Sequence, residues 1–318
     1  MSFLPTGDPY YLLSGASGML GTAVQRALAL RNLPILQLVR RDPVAAGQLQ
    51  WDPAAVSPIP KPELLENLAA AIHFSGANLA AHRWSNAYKR EMTVSRVQST
   101  RALAAALAHL RRPPQALLAA SAVGVYGDRG DELLDETSAP GSGFLAELCQ
   151  QWEAATQPAA EAGIRVVHLR FGVVLGSGPG ALAQMVPLFR LGLGGPLGSG
   201  RQWMSWISLA DAVAAILFLL DTPSLAGPVN LTAPDPVPNA AFTRALARRL
   251  RRPALLRVPA FALRLALGEM ADEALLASAR AFPSRLTTAG FRFAHPTVDA
   301  ALAEALPPRR KTPAAALS

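Results

Sequence analysis

The stretch YLLSGASGMLG, residues 11–21, decides the fold. Gly15, Gly18 and Gly21 recur at every third position, straight after a short apolar run and straight before a helical pattern. Such a strand, glycine turn and helix form a phosphate cradle. Glycine lets the turn adopt positive φ and lets the backbone approach a pyrophosphate closely, and the third glycine lets the helix pack tightly on the strand. The free N–H groups and dipole of the helix N-terminus attract the phosphates. The reading assigns Gly15, Ser17, Gly18, Met19, Leu20 and Gly21 to cofactor binding.

Outward from this turn, apolar runs alternate with helical patterns. The pattern predicts strands at Tyr10–Ser14, Ile35–Arg40, Ala71–Ser75, Gln115–Ser121 and Arg165–Arg170, with helices near 19–31, 85–111 and 143–162. Short, continuously apolar strands separated by helices imply a doubly wound parallel α/β sheet of the Rossmann type, buried on both faces. Residues 57–62 are proline-rich and read as a connector. Residues 172–207 form a glycine-rich substrate-loop segment of loops and tight turns, within a dinucleotide-binding domain spanning 8–235. A helix follows over 208–221, with Asp211 as its expected N-cap. Residues 236–306 read as a small, mainly helical C-terminal lobe of two or three helices, the first with Asn239 as a possible N-cap, and 307–318 as a basic tail.

The second strand selects the dinucleotide. An NAD site usually places an acidic residue there to hold the ribose 2′-hydroxyl. Here LPILQLV, residues 33–39, runs into Arg40 and Arg41. Guanidinium groups suit a 2′-phosphate, so NADP(H) is expected over NAD(H). Asp42 follows, where it could still turn toward the ribose.

Composition limits the alternatives. The chain has 318 residues, 51% of them hydrophobic and 16% charged, which fits a large buried core rather than a disordered chain. The single cysteine, Cys149, leaves no intramolecular disulfide and fits a reducing, cytoplasmic setting. No signal peptide is read at the N-terminus, and the longest apolar run, 212–220, is too short to span a bilayer. The formal charge of +8 is concentrated in ARRLRRP (247–253) and PPRRK (307–311). No aromatic residues interleave with these arginines, so both read as a solvated helix end and a tail, with neither nucleic acid nor membrane as partner. Oligomeric state is open.

Several segments resemble a known family. GASGMLG, the Arg40–Arg41 pair, FSGAN (74–78) and ASAVGVYG (120–127) resemble an extended short-chain dehydrogenase/reductase. RW (83–84), SR (95–96), QQWE (150–153), RFGVVLG (170–176), GLGGPLGSGRQWMSWI (192–207) and AGFRF (289–293) are similar to an atypical subgroup of it, the epimerase-family proteins that end in a small domain of unknown function. The resemblance covers about residues 8–306. It implies bound NADP(H), with Ser75, Gly76, Ala77 and Asn78 against the adenosine side of the cofactor and Ser121 also beside it.

The same resemblance shows an altered catalytic set. The family's usual tyrosine and lysine, four residues apart on one helix, correspond to Phe144 and Leu148; its serine corresponds to Ala122, with Ser121 one residue earlier, and its asparagine to Arg96. Phe144 and Leu148 cannot exchange protons. Three readings follow: an oxidoreductase of unknown substrate with another acid, Tyr126 or Arg96 being the candidates; a non-catalytic NADP(H)-binding or sensor module; or a nucleotide-sugar epimerase, which would need the missing base.

A small-molecule substrate is expected near the end of the fifth strand, at Arg170, and near Arg201, Gln202 and Trp206, where cations, an amide and an indole suit an anionic or ring-bearing ligand. Trp203 and Trp206 could equally be packing between lobes. His73 and His168 fall in core strands and read as buried and neutral. Cys149 reads as a packing residue. No histidine spacing suggests a metal, and none is expected.

Overall fold

The computed structural model describes residues 9–307. Seven strands form one parallel sheet: β1 (Tyr10–Ser14), β2 (Ile35–Val39), β3 (Gln48–Gln50), β4 (Leu68–His73), β5 (Ala116–Ala122), β6 (Arg165–Phe171) and β7 (Gly227–Leu231). Their order across the sheet is β3-β2-β1-β4-β5-β6-β7. The chain winds outward in one direction from β1 and then in the other from β4, so the β1–β4 boundary is the switch point at which such sheets open a crevice.

Successive residues of a strand point to opposite faces, and Leu12 and Leu13 divide accordingly. Leu13 joins Ile72, Leu118 and Val167 on one face, beneath Val24 and Leu28 of α1 (Met19–Leu30) and Ile216 and Leu219 of α7 (Leu209–Leu220). Leu12 joins Leu36, Ala71 and Leu117 on the other face, beneath Leu103 and Leu107 of α3 (Ser99–Ala108). Burial on both faces accounts for the unbroken apolar runs.

The expected strands are present, with ends that differ by up to three residues. β3 and β7 were not expected; β3 has three residues, and β7 begins with Gly227-Pro228 at the sheet edge, so neither carries a periodic signal. The helix expected over 85–111 is interrupted: α2 (Asn86–Thr93) passes through a π turn, Val94–Gln98, into α3. The one expected near 143–162 is two helices, α4 (Phe144–Ala154) and α5 (Gln157–Glu161).

The second lobe departs further from expectation. The glycine-rich segment holds a helix, α6 (Ala181–Arg190), as well as turns. Its Leu182, Val186 and Phe189, together with Trp206, share an apolar cluster with Phe242 and Leu246 of α8 (Asn239–Leu250) and Leu302 of α11 (Val298–Ala305). Trp203–Met204 also pairs antiparallel with Val237–Pro238. Most apolar side chains of 172–207 thus pack in this lobe, while Val174 and Ile207 pack on the core of the large sheet. Among the described residues after 236 there are four α-helices, adding α9 (Ala260–Leu267) and α10 (Ser284–Thr288), and a π-helical turn at Ala271–Leu276; Leu286, Phe291 and Phe293 return to the core of the large sheet. The basic residues Arg309, Arg310 and Lys311 lie outside the described residues.

Two expected caps act differently. Asn239 is the first residue of α8, not the residue before it, and its side-chain oxygen accepts from the Leu197 N–H at 2.8 Å, tying α8 to the glycine-rich segment. The cap of α7 is Ser208, whose Oγ accepts from the Asp211 N–H. The Asp211 carboxylate accepts instead from the N–H groups of Ala294 (2.7 Å) and His295 (2.9 Å), fastening the C-terminal segment to this helix.

Candidate functional site

A cavity of about 1070 Å³ opens at the carboxyl ends of β1, β2 and β4, at the switch point. One wall is the turn from Gly15 to Gly18. Gly15 has φ +69, and a Cβ there would stand 2.8 Å from the Phe74 carbonyl carbon; a Cβ on Gly21 would collide with the Gly15 carbonyl oxygen. Both positions therefore require glycine. Gly18 caps α1 without any side-chain hydrogen bond, and no acidic residue lies in the first turn, so the helix N-terminus offers its N–H groups and positive dipole end to the cavity. Gln25 Nε2 donates to the Ala16 carbonyl at 2.6 Å, and Gln37 Nε2 to Gln25 Oε1 at 2.9 Å. This amide chain braces the turn from α1 and β2.

Arg40 and Arg41, at the end of β2, line the same cavity. Both are exposed, and neither has an ion-pair partner among the described residues. Asp42 Oδ1 accepts from Gln50 Nε2 at 3.1 Å, so its carboxylate is engaged beside β3. The opposite wall is the loop Phe74–Asn78. Ser95 Oγ accepts from the Ala77 N–H at 3.0 Å, and Arg96 Nη2 donates to the Ala77 carbonyl at 2.8 Å. Ser95 and Arg96 belong to the π turn, whose wider coil presents them to that loop.

At the ends of β5 and β6 the side chains close on each other. Glu153 of α4 receives Ser121 Oγ at 2.7 Å and the Arg170 guanidinium through two bonds of 2.8 Å. Arg170 Nη1 donates to the Tyr126 hydroxyl at 3.1 Å, which lies 2.8 Å from Asn230 Oδ1 and 2.9 Å from the Asp135 carbonyl. Asn230 Nδ2 donates to Phe282 O at 3.0 Å. Burial by itself would raise the Glu153 carboxyl, but Arg170 outweighs it and holds the group below the ordinary carboxylate range. Burial likewise opposes the Arg170 cation, and Glu153 reverses the effect, so Arg170 is firmly charged. Tyr126 is raised by burial despite Arg170.

Residues 11–231 match the NAD dependent epimerase/dehydratase family, and residues 258–305 match a domain of unknown function, DUF1731. The chain belongs to the NAD dependent epimerase/dehydratase family. It is 47% identical over 290 residues to an epimerase family protein of Mycobacterium bovis, covering 91% of this chain and 95% of that protein. The epimerase family protein SDR39U1 of Mus musculus is 36% identical over 295 residues, covering 92% of this chain and 97% of the mouse protein. The crystal structure of human SDR39U1 (isoform 2) with NADPH superimposes with a TM-score of 0.85 at 31% identity, over 93% of this chain and 98% of that one.

In this epimerase/dehydratase-family chain, the cavity brings together Gly15, Ser17, Gly18, Arg40, Arg41, Ser75, Gly76, Ala77 and Asn78, residues far apart in sequence. Met19 is in the first turn of α1, but its side chain points toward Gly176 and Gly180 of the glycine-rich segment. Leu20 packs against the core of the large sheet, and Gly21 lies beneath the turn. Ser121 does not line the cavity; it is buried against Glu153.

The expected catalytic and substrate residues are placed otherwise than the sequence suggested. Tyr126 is fully buried with its hydroxyl engaged, so it presents no acid to a ligand in this arrangement. Arg96 stacks on Trp152 behind Gly76 and supports the loop. Arg170 is bound to Glu153. Trp206 is buried within the second lobe, its Nε1–H on the Asp235 carbonyl, and Gln202 donates to Leu197 and Leu275 carbonyls there. Arg201 is exposed. These four do not form one pocket, because lobe packing takes up the indole and the amide.

Phe144 packs on Trp84 at 5.4 Å, and Leu148 is buried with Trp84, Tyr88 and Met92. Cys149 is buried and its thiol is pushed up to about 12, chiefly by burial, consistent with packing. His73 is buried and lowered to about 3 by the same cause, between Ser14 Oγ at 2.6 Å and Ser99 Oγ at 3.3 Å. The bracing pair Gln25 and Gln37 escaped the sequence reading, since isolated glutamines carry no periodic signal. Glu153, within QQWE, was visible but without a role.

Proposed function

We propose that this chain binds NADP(H) in the cavity at the switch point and is an oxidoreductase acting on a small molecule. The observation that carries the reading is the pair Arg40 and Arg41 opening onto the same cavity as the uncapped glycine turn. The human relative solved with NADPH supports it. The donor set fits this cofactor: the N–H groups of Ser17, Met19 and Leu20 would hold the pyrophosphate, and the two guanidinium groups a 2′-phosphate. Ser75 to Asn78 would border the adenosine side, steadied by Ser95 and Arg96. When bound, the dinucleotide supplies a hydride.

On this reading the proton does not come from a tyrosine–lysine pair, since Phe144 and Leu148 have no exchangeable protons. A hydroxyl at the end of β5, Ser121 or Tyr126, could take part only after leaving the Glu153–Arg170 network. That closed network favours a second reading, a binding or sensor module without turnover. Titration with NADPH and NADH tests the cofactor assignment: NADPH should bind more tightly, and equal affinity overturns it. NADPH consumption over panels of carbonyl compounds and quinones separates the two functional readings.

A further inference from the structure

The second lobe carries an exposed apolar and cationic face with no role in the cofactor cavity. Leu191 and Leu193 follow α6, Leu255 and Leu256 precede α9, and Phe261 and Leu265 lie on α9 one helical turn apart. Leu255 is 88%, Phe261 72% and Leu265 77% exposed. The two segments are joined: Leu197 pairs with Val258, whose N–H donates to the Pro196 carbonyl at 2.9 Å and whose carbonyl accepts from the Gly198 N–H at 2.8 Å. A solvated surface seldom keeps so many large apolar side chains exposed on two adjoining segments without using them.

Charge sharpens the choice of occupant. The sequence contains no Asp or Glu from 162 to 210 or from 236 to 268. Arg190, Arg251, Arg252 and Arg257 border the exposed leucines, are themselves exposed, and have no ion-pair partner among the described residues. A second copy docked symmetrically would set these arginines against one another. Nucleic acid would leave the aliphatic side chains without a partner. An anionic lipid surface meets both needs, with phosphates for the guanidinium groups and the acyl boundary for Leu and Phe.

We propose that residues 188–193 and 251–265 form a face by which the protein associates reversibly with anionic membranes. Arg251 and Arg252, at the end of the run read from sequence as a solvated helix end, thereby gain a partner, whereas Arg248 and Arg249 are held by Asp299 and the Leu306 carbonyl. Association is peripheral, since no helix among the described residues is long and apolar enough to cross a membrane.

Co-sedimentation with phosphatidylcholine vesicles, with and without phosphatidylglycerol, tests the proposal. The protein should pellet with the anionic vesicles, not with the neutral ones, and high salt should release it. Replacing Arg251, Arg252 and Arg257 together by Gln should lower the partition coefficient roughly a hundredfold. Phe261→Ser with Leu265→Ser should also lower it, while thermal unfolding confirms that both variants remain folded. Absence of anionic-vesicle binding, or equal binding to neutral vesicles, overturns the proposal. So does loss of self-association or of RNA binding in these variants without any change in vesicle binding. None of these readouts involves the cofactor, so the NADP(H) reading stands or falls separately.

Discussion

The two ends of the sheet crevice differ in what their polar groups are doing. At β1 and β2, no side chain caps the helix N-terminus and Arg40 and Arg41 lack ion-pair partners among the described residues, so these donors face the cavity. At β5 and β6, Ser121, Glu153, Arg170, Tyr126 and Asn230 satisfy one another. Unsatisfied donors in a cavity are the mark of a site built for a ligand, whereas a saturated buried network stabilises and positions. The contrast separates the donors that face the cofactor cavity from Ser121 and Tyr126, whose hydroxyls are held within this network.

The contrast can be broken most forcefully at Glu153. Glu153→Gln leaves the Arg170 cation buried without its counter-ion and should cost about 3–5 kcal/mol in urea unfolding. Because the folded-state carboxyl lies below its unfolded value of about 4.3, its contribution is present above that pH and is lost as pH falls through the folded value. The gap between wild type and variant should therefore narrow in acid. A pH-independent gap would mean that the charge is not what matters.

Arg40→Ala should weaken NADPH binding by about 1.5–3 kcal/mol and leave NADH unchanged, as measured by fluorescence titration. Equal losses for both cofactors would remove Arg40 from the 2′-phosphate. Tyr126→Phe should lower stability by about 1 kcal/mol by deleting one buried hydroxyl. If turnover is found and this variant abolishes it, the network must open during reaction and the contrast fails. Gly18→Ala should have the smallest effect on folding, under about 0.5 kcal/mol. Its Cβ would meet only the Gly15 carbonyl oxygen at 3.5 Å, an ordinary contact. A larger loss in NADPH affinity than in stability would show that a ligand approaches the backbone there.

Much of the cavity was legible in the residues themselves. Glycine spacing, the Arg40–Arg41 pair and FSGAN are local signals, because a cradle needs particular backbone conformations at fixed offsets. The five inner strands were legible for a similar reason, since burial on both faces forces continuous apolar runs. β3 and β7 were not: both lie at the sheet edges, β3 has only three residues and β7 opens with Gly227-Pro228. Arg170, Gln202 and Trp206 were recognised as unusual residues but assigned to a ligand. A guanidinium or an indole reads the same in sequence whether its partner is a substrate or another part of the chain.

By itself, then, the sequence determined the α/β class, the place of the phosphate cradle and the cationic end of β2, all of which depend on neighbours within a few residues. Tertiary structure alone decided that Glu153 would claim Arg170 and Ser121, and that α6 and Trp206 would share a core with α8 and α11. It also joined the segment after α6 to the segment before α9 through the Leu197–Val258 bridge. These pairings join segments tens of residues apart. Side-chain chemistry fixes what each group needs, but only the packed fold determines which group supplies it.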